Sequence, residues 1–269
     1  MKVQFKALAA VVVLAAALPA HAAIDTAASG NGSLVLSVFD RVANISANFD
    51  LGKNYSDFTI AGNSFANSGA AAAGTNFSWD LSTGDYATAW NQFFSTATLA
   101  NTVFAIGAGD NLGAGAGNRG FITTYSVVGN NITSTQAQGL AGFFDVYTGE
   151  SASSAALFQN HTVVANGSSV ANAGAAFAGQ FYGGGKNNAV GATAVGAIGT
   201  DLGVLQYLSA ASSFATSPVT IFGNGAKFNL ASNGALVYST IAAVPEADTW
   251  AMMLLGLGFM GFIARRKSV

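Results

Sequence analysis

Cysteine is absent from this 269-residue chain, proline occurs three times, histidine twice, and charged residues make up only 8%. Without cysteine there are no disulfides, zinc ribbons, iron–sulfur clusters or thiol nucleophiles, and the redox compartment is left open. The charged fraction is about a third of the usual ~25%. Ten cations against twelve acids give no broad phosphate-binding surface, so nucleic acid is not an expected partner. A mean hydropathy of +0.42 raises the possibility of a multi-span membrane protein, and the location of the apolar residues decides it.

Much of that apolarity sits at the two ends. Met1 to Lys6 is a basic leader, Ala7 to Ala20 is an apolar run, and Ala20-His21-Ala22 is an A-x-A cleavage site. Together they predict a signal peptide over 1–22, cut after Ala22. At the other end Val244-Pro245-Glu246-Ala247-Asp248-Thr249 precedes an apolar run from Trp250 to Ala264, closed by Arg265, Arg266 and Lys267. As a helix the run rises about 22 Å, short against a hydrocarbon core of ~30 Å, so it spans with snorkelling basic ends or local thinning. Three cations beside the last apolar residue read as a stop-transfer signal, with Trp250 at the opposite interface.

A Pro-Glu pair, a short Gly/Leu/Met-rich helix and a terminal basic cluster resemble the PEP-CTERM sorting signal of Gram-negative bacteria, a module also labelled an ice-binding protein C-terminal domain. The resemblance is confined to Val244 to about Lys267. It implies export, and processing by an exosortase, a membrane protease or transpeptidase that recognises the Pro-Glu-Pro core. Pro245 and Glu246 would be the recognised pair, and Ala247 stands where the family has its second proline. Association with exopolysaccharide, biofilm or floc is also implied. Proline at 245 favours an extended, accessible segment outside the membrane.

The chain thus divides into a signal peptide (1–22), an exported β-rich domain (23–243) and a sorting and anchor segment (244–269). The domain carries five cations (Arg41, Lys53, Arg119, Lys186, Lys227) and ten acids. Its longest apolar stretch, Ala189 to Ala215, is broken by Asp201 and rich in Gly and Ser, so it does not span a bilayer. Alternation at 33–39, 44–49, 57–61 and 76–81 predicts strands, and a strand-like run follows at 121–128. Strands at 219–222, 226–230 and 235–241 are split by Gly223-Asn224-Gly225 and Ser232-Asn233-Gly234, which predicts two hairpins and a terminal meander. Tyr86, Ala89, Trp90, Phe93, Phe94 and Ala97 fall at helical spacing, predicting a packed helix over 86–99 with Asp85 as its N-cap. A weaker helix candidate covers 151–159, and 165–199 has no clear period. The expected fold is mainly β, a single antiparallel sandwich-like domain with one or two packed helices.

Catalytic signals are sparse. After signal cleavage His161 is the one histidine, and a triad with Asp145 and a serine lacks any G-x-S-x-G elbow. Gly115 to Gly120 matches G-x-G-x-x-G in form, but a strand-like run follows it where a phosphate-binding helix should begin. Gly183 to Asn187 lacks the spacing and the hydroxyl of a P-loop. Gly107-Ala-Gly109-Asp110-Asn111 is half of a calcium-binding nonapeptide repeat, and Asp40, Asp50, Asp57, Asp80 and Asp85 are better explained by turns and caps. Glu150 is the one Glu in the domain, which weakens a paired-carboxylate glycosidase. No catalytic, cofactor or metal residue is expected.

The expected role is a non-catalytic cell-surface or matrix protein. Its partners would be an exosortase, the membrane through the C-terminal helix before processing, and extracellular polysaccharide. The alternatives are a carbohydrate-binding module, with Tyr55, Trp79 or Tyr182 exposed on one face, and a secreted hydrolase, with His161 or paired acids in a cleft.

Overall fold

A computed structural model describes residues 24–58, 69–113, 119–128, 132–153, 161–164, 166–183, 193–210, 212, 214–217, 219–242, 252–257 and 260. Among the described residues fourteen strands run in chain order: β1 (Ser33–Asp40), β2 (Ile45–Asn54), β3 (Asn76–Asp80), β4 (Thr102–Asp110), β5 (Gly120–Tyr125), β6 (Ile132–Thr133), β7 (His161–Val163), β8 (Ser169–Ala171), β9 (Gly196–Ala197), β10 (Asp201–Leu208), β11 (Thr216–Ser217), β12 (Val219–Ile221), β13 (Lys227–Leu230) and β14 (Ala235–Ser239). Helices are α1 (Tyr55–Phe58), α2 (Ala87–Phe94), α3 (Ser134–Ala152) and α4 (Ala178–Gly183). Twelve strands form one sheet, in the order β3-β14-β13-β10-β5-β4-β1-β2-β8-β7, with β12 also on β10 and β9 also on β4. Every described pairing is antiparallel. The mainly β expectation holds; the layers come from one curled sheet, a half-barrel, with helices packed on it.

The core lies on both sides of this sheet. Leu34, Leu36, Val38, Phe104, Ile106, Leu202, Val204, Phe228 and Tyr238 face one cluster with Trp90 and Phe93 of α2 and Phe58 of α1. Val35, Phe39, Phe121, Leu205 and Tyr207 face a second with Leu140, Phe144 and Tyr147 of α3 and Phe181 and Tyr182 of α4. All eight residues of β1 are therefore buried, although its alternation alone suggests one wet face. Two-sided burial is what a central strand acquires when helices cover the second face.

Helix α2 is shorter than the stripe predicts. A 3-10 turn over Gly84–Tyr86 leads in, Tyr86 already has helical dihedrals, and Asp85 makes no cap bond. The helix stops at Phe94 because Thr98 is extended (φ −113°, ψ 140°) and its N–H donates to Asp40 Oδ2 at 3.0 Å. That bond pulls the chain away from the helical path. The 151–159 expectation is displaced too: the helix is α3, which ends at Ala152, and 154–160 lies outside the described residues. Two reciprocal bonds start α3, from Gln136 N–H to Thr133 Oγ1 (3.3 Å) and from Thr133 N–H to Gln136 Oε1 (2.8 Å), a capping box.

Two further expectations are corrected. Asp57 and Phe58, read as the start of a strand, belong to α1, where Tyr55 and Phe58 share one buried face at i, i+3. Gly223-Asn224-Gly225 does not turn a hairpin. β12 and β13 both run antiparallel to β10 along the same edge, Ile221 opposite Leu205 and Lys227 opposite Gly203. The motif loops a few residues out of one interrupted strand, and Asn224 (φ 55°) and Gly225 (φ 59°) supply the left-handed backbone that such an excursion needs. Ser232-Asn233-Gly234 does close the β13–β14 hairpin, with Gly234 at φ 90°.

Candidate functional site

Ala20, Ala22, Pro245, Glu246, Trp250, Arg265, Arg266 and Lys267 lie outside the described residues. Residues 252–257 and 260 are helical and exposed, Met252 at 70% and Leu254 at 66%. Among the described residues no helix is long and apolar enough to cross a membrane.

The fold gives the acids local duties. Asp40 Oδ1 accepts N–H bonds from Val42 (2.8 Å) and Ala43 (2.9 Å), closing the β1–β2 turn. Burial alone would raise its carboxyl, but the N–H donors of Ala43, Thr98 and Val42 outweigh it and hold Asp40 below the ordinary carboxylate value. Asp50 accepts from Ser33 Oγ and Gly52 N–H, Asp57 from Asn54 N–H, and Asp80 from Ser82. Asp145 accepts the N–H of Ala28 at 2.6 Å, tying α3 to a 3-10 turn over Ala27–Ser29. His161 pairs through its backbone with Ala171 on the edge strand β7. Among the described residues no three His, Asp or Glu side chains gather into a metal-binding group. Gly107 and Gly109, half of the calcium-like motif, lie in β4 beneath α3: a Cβ at 107 would stand 3.0 Å from Tyr182 Oη and 3.1 Å from Phe144. Close helix packing explains those glycines. Gly120 opens β5, so a strand follows the glycine-rich loop.

Tyr55, Trp79 and Tyr182 do not form the exposed platform that the carbohydrate-binding alternative needs. Tyr55 and Tyr182 are buried. Trp79 is half-buried, packs on the core and donates from Nε1 to Leu51 O at 2.8 Å. The Tyr182 ring packs edge-on against Tyr147, which sits in a buried polar seam. There Ser37 Oγ lies 2.6 Å from Tyr147 Oη, which donates to Asn48 Oδ1; Asn48 Nδ2 donates to Ser151 Oγ (2.9 Å) and Ala176 O (3.3 Å). Burial pushes the Tyr147 and Tyr182 hydroxyls well above the ordinary tyrosine value, so both stay neutral. The seam locks α3 and α4 to the sheet and is sealed from solvent.

The face left open lies on β3, β14, β13 and the Asp201–Gly203 end of β10; the other end of β10, from Leu205 to Tyr207, is buried beneath α3. In register, Asn76, Ser239, Lys227, Gly203 and Tyr125 form one row, and Ser78, Val237, Asn229 and Asp201 form the next. Lys227 Nζ donates to Asp201 Oδ2 at 2.6 Å and Asn229 Nδ2 to Oδ1 at 2.8 Å. These bonds, Lys227 first and Asn229 second, hold Asp201 below the ordinary carboxylate value. A carboxylate so held is a poor proton shuttle near neutrality and a good hydrogen-bond acceptor. The half-buried Tyr125 ring lies on Gly203, where any Cβ would collide with it. Asp201 and Lys227 are visible in the sequence, but their register is not, and only the register makes this surface.

Neither the curated proteins nor the solved structures contain a match to this chain. Residues 243–267 match the PEP-CTERM protein-sorting motif, beginning one residue before the expected boundary. The C-terminal segment is therefore that sorting module, which implies a protein exported and sorted to the cell surface of a Gram-negative bacterium by an exosortase.

Proposed function

We propose that the chain is a non-catalytic surface or matrix protein. It leaves the cytoplasm through the signal segment ending at Ala22, is held for a time by the apolar run from Trp250 to Ala264, is cut near Pro245, and then contacts extracellular polysaccharide. The observation that carries this reading is the sorting motif at 243–267. The open flank supports the last step. Asn76, Ser78, Ser239 and Asn229 offer amides and hydroxyls in regular register, and the neighbouring ion pair neutralises itself. Sugar hydroxyls are met by such groups without the salt dependence of a charged interface.

Co-sedimentation of the released protein with polysaccharide from the producing cells tests this role. Binding should survive a rise from 0.1 to ~0.5 M salt, which shrinks the Debye length about twofold. It should weaken in a Tyr125→Ala/Asn229→Ala variant. Binding that vanishes with salt, or that ignores the double substitution, contradicts the assignment to this face.

A further inference from the structure

The body releases its chain toward the sorting motif from a fixed point. Ile241 is held through both backbone groups: its N–H donates to Asn224 O (2.8 Å) and its carbonyl accepts from Gly74 N–H (3.2 Å). One residue earlier, Thr240 N–H donates to Thr75 O (2.9 Å), and Thr240 Oγ1 donates to Ala72 O (2.6 Å). Asn224 is anchored in turn, its Nδ2 donating to Ala71 O at 2.7 Å. The exit is a clamp between the 71–75 segment and the Asn224 excursion.

Three residues separate Ile241 from Pro245, which makes four Cα-to-Cα steps. At full extension they reach about 14 Å. A body of about 220 residues has a radius of gyration near ~17 Å and is roughly 45 Å across. The tether is therefore much shorter than the body, and whatever cuts near Pro245 works against the end of the body that carries the clamp. The described residues exposed at that end are uncharged: Ala73, Gly74, Asn76, Gly225, Ile241 and Ala242. The nearest ammonium in register, Lys227, is already paired to Asp201. Such a surface closes against another protein without stranding a charge.

Resting on the sorting reading above, we infer that this exit face docks on the membrane-embedded processing enzyme during release. The enzyme recognises the body's exit face in addition to the Pro-Glu segment, and the three-residue tether enforces the contact.

Pulse-chase measurement of body release in exosortase-positive cells tests this. Ala73→Glu/Asn76→Glu places two carboxylates on the exit face, Val42→Glu places one on the distant β1–β2 turn, and a ten-residue Gly-Ser insertion after Ala242 relaxes the tether by about 17 Å on average. Release of the double variant should slow about tenfold, the scale of one desolvated charge at a contact. Val42→Glu should match wild type, and the spacer should restore the double variant, which also shows that it folds. Wild-type release of the double variant, or slowing that the spacer does not relieve, overturns the docking inference. If the wild-type chain itself is not released, the sorting reading fails instead.

Discussion

The hydroxyl of Tyr147 on α3 lies 2.6 Å from Ser37 Oγ on β1, in the middle of the domain. That oxygen also donates to Asn48 Oδ1, so one side chain joins a helix to two strands with no water between. Tyr147→Phe keeps the packing but leaves the Asn48 carbonyl unmatched in a buried seam. It should cost about 1–3 kcal/mol, read as a lower midpoint in chemical denaturation with an unchanged slope. An unchanged midpoint would remove the seam from the stability of the fold.

Asp40 makes stability depend on acid. Its folded carboxyl sits below the ordinary value, so its contribution is complete above the unfolded-state value of about 4 and is lost as pH falls through the lower folded one. Asp40→Asn should destabilise the protein at neutral pH. As pH falls through the lowered folded value and the wild-type carboxyl also becomes neutral, the gap between the two should close. Denaturation midpoints measured across that range check the sign.

Two glycines separate crowding from freedom. Gly107→Ala would press a methyl against Tyr182, Phe144 and Phe121, all buried, and should cost about 1–3 kcal/mol by overpacking. Gly203→Ala meets the half-buried Tyr125 ring, which can swing toward solvent, so the cost should be smaller. Thermal unfolding of the two variants side by side tests the order.

The Asn224 excursion should show itself in hydrogen exchange. Asn224→Gly keeps the left-handed backbone (φ 55°) but removes the bond to Ala71 O. Protection of the Ile241 amide, which donates to Asn224 O, should fall while the amides of β1 and β4 keep theirs. Loss of protection throughout the sheet would mean the clamp is part of the global fold.

Legibility in the sequence followed physical range. The alternation at 33–39 and the turn at 232–234 are local, and both strands and the hairpin stand where they predict. Helix α3 escaped because Gly139, Gly142 and Gly149 interrupt it and Phe143 and Val146 lie on its exposed side, blurring its apolar stripe. Its signal was the capping box Thr133-x-x-Gln136. Gly223-Asn224-Gly225 looked like a hairpin turn because its dihedrals are the same in an excursion; only β10, some twenty residues upstream, distinguishes the two. Residue type alone suggests Tyr55, Trp79 and Tyr182 as exposed rings, whereas burial is set by what packs above them. The open flank depends wholly on cross-strand register. By contrast the sorting segment is legible as a module from local sequence alone, and the family match covers residues 243–267.

Release near Pro245 is read most plainly by intact-mass analysis of the mature protein from cells with and without the exosortase. With the enzyme, the body should begin at Ala23 and end near Pro245; without it, the chain should retain Arg265, Arg266 and Lys267. A tail retained under both conditions would contradict it.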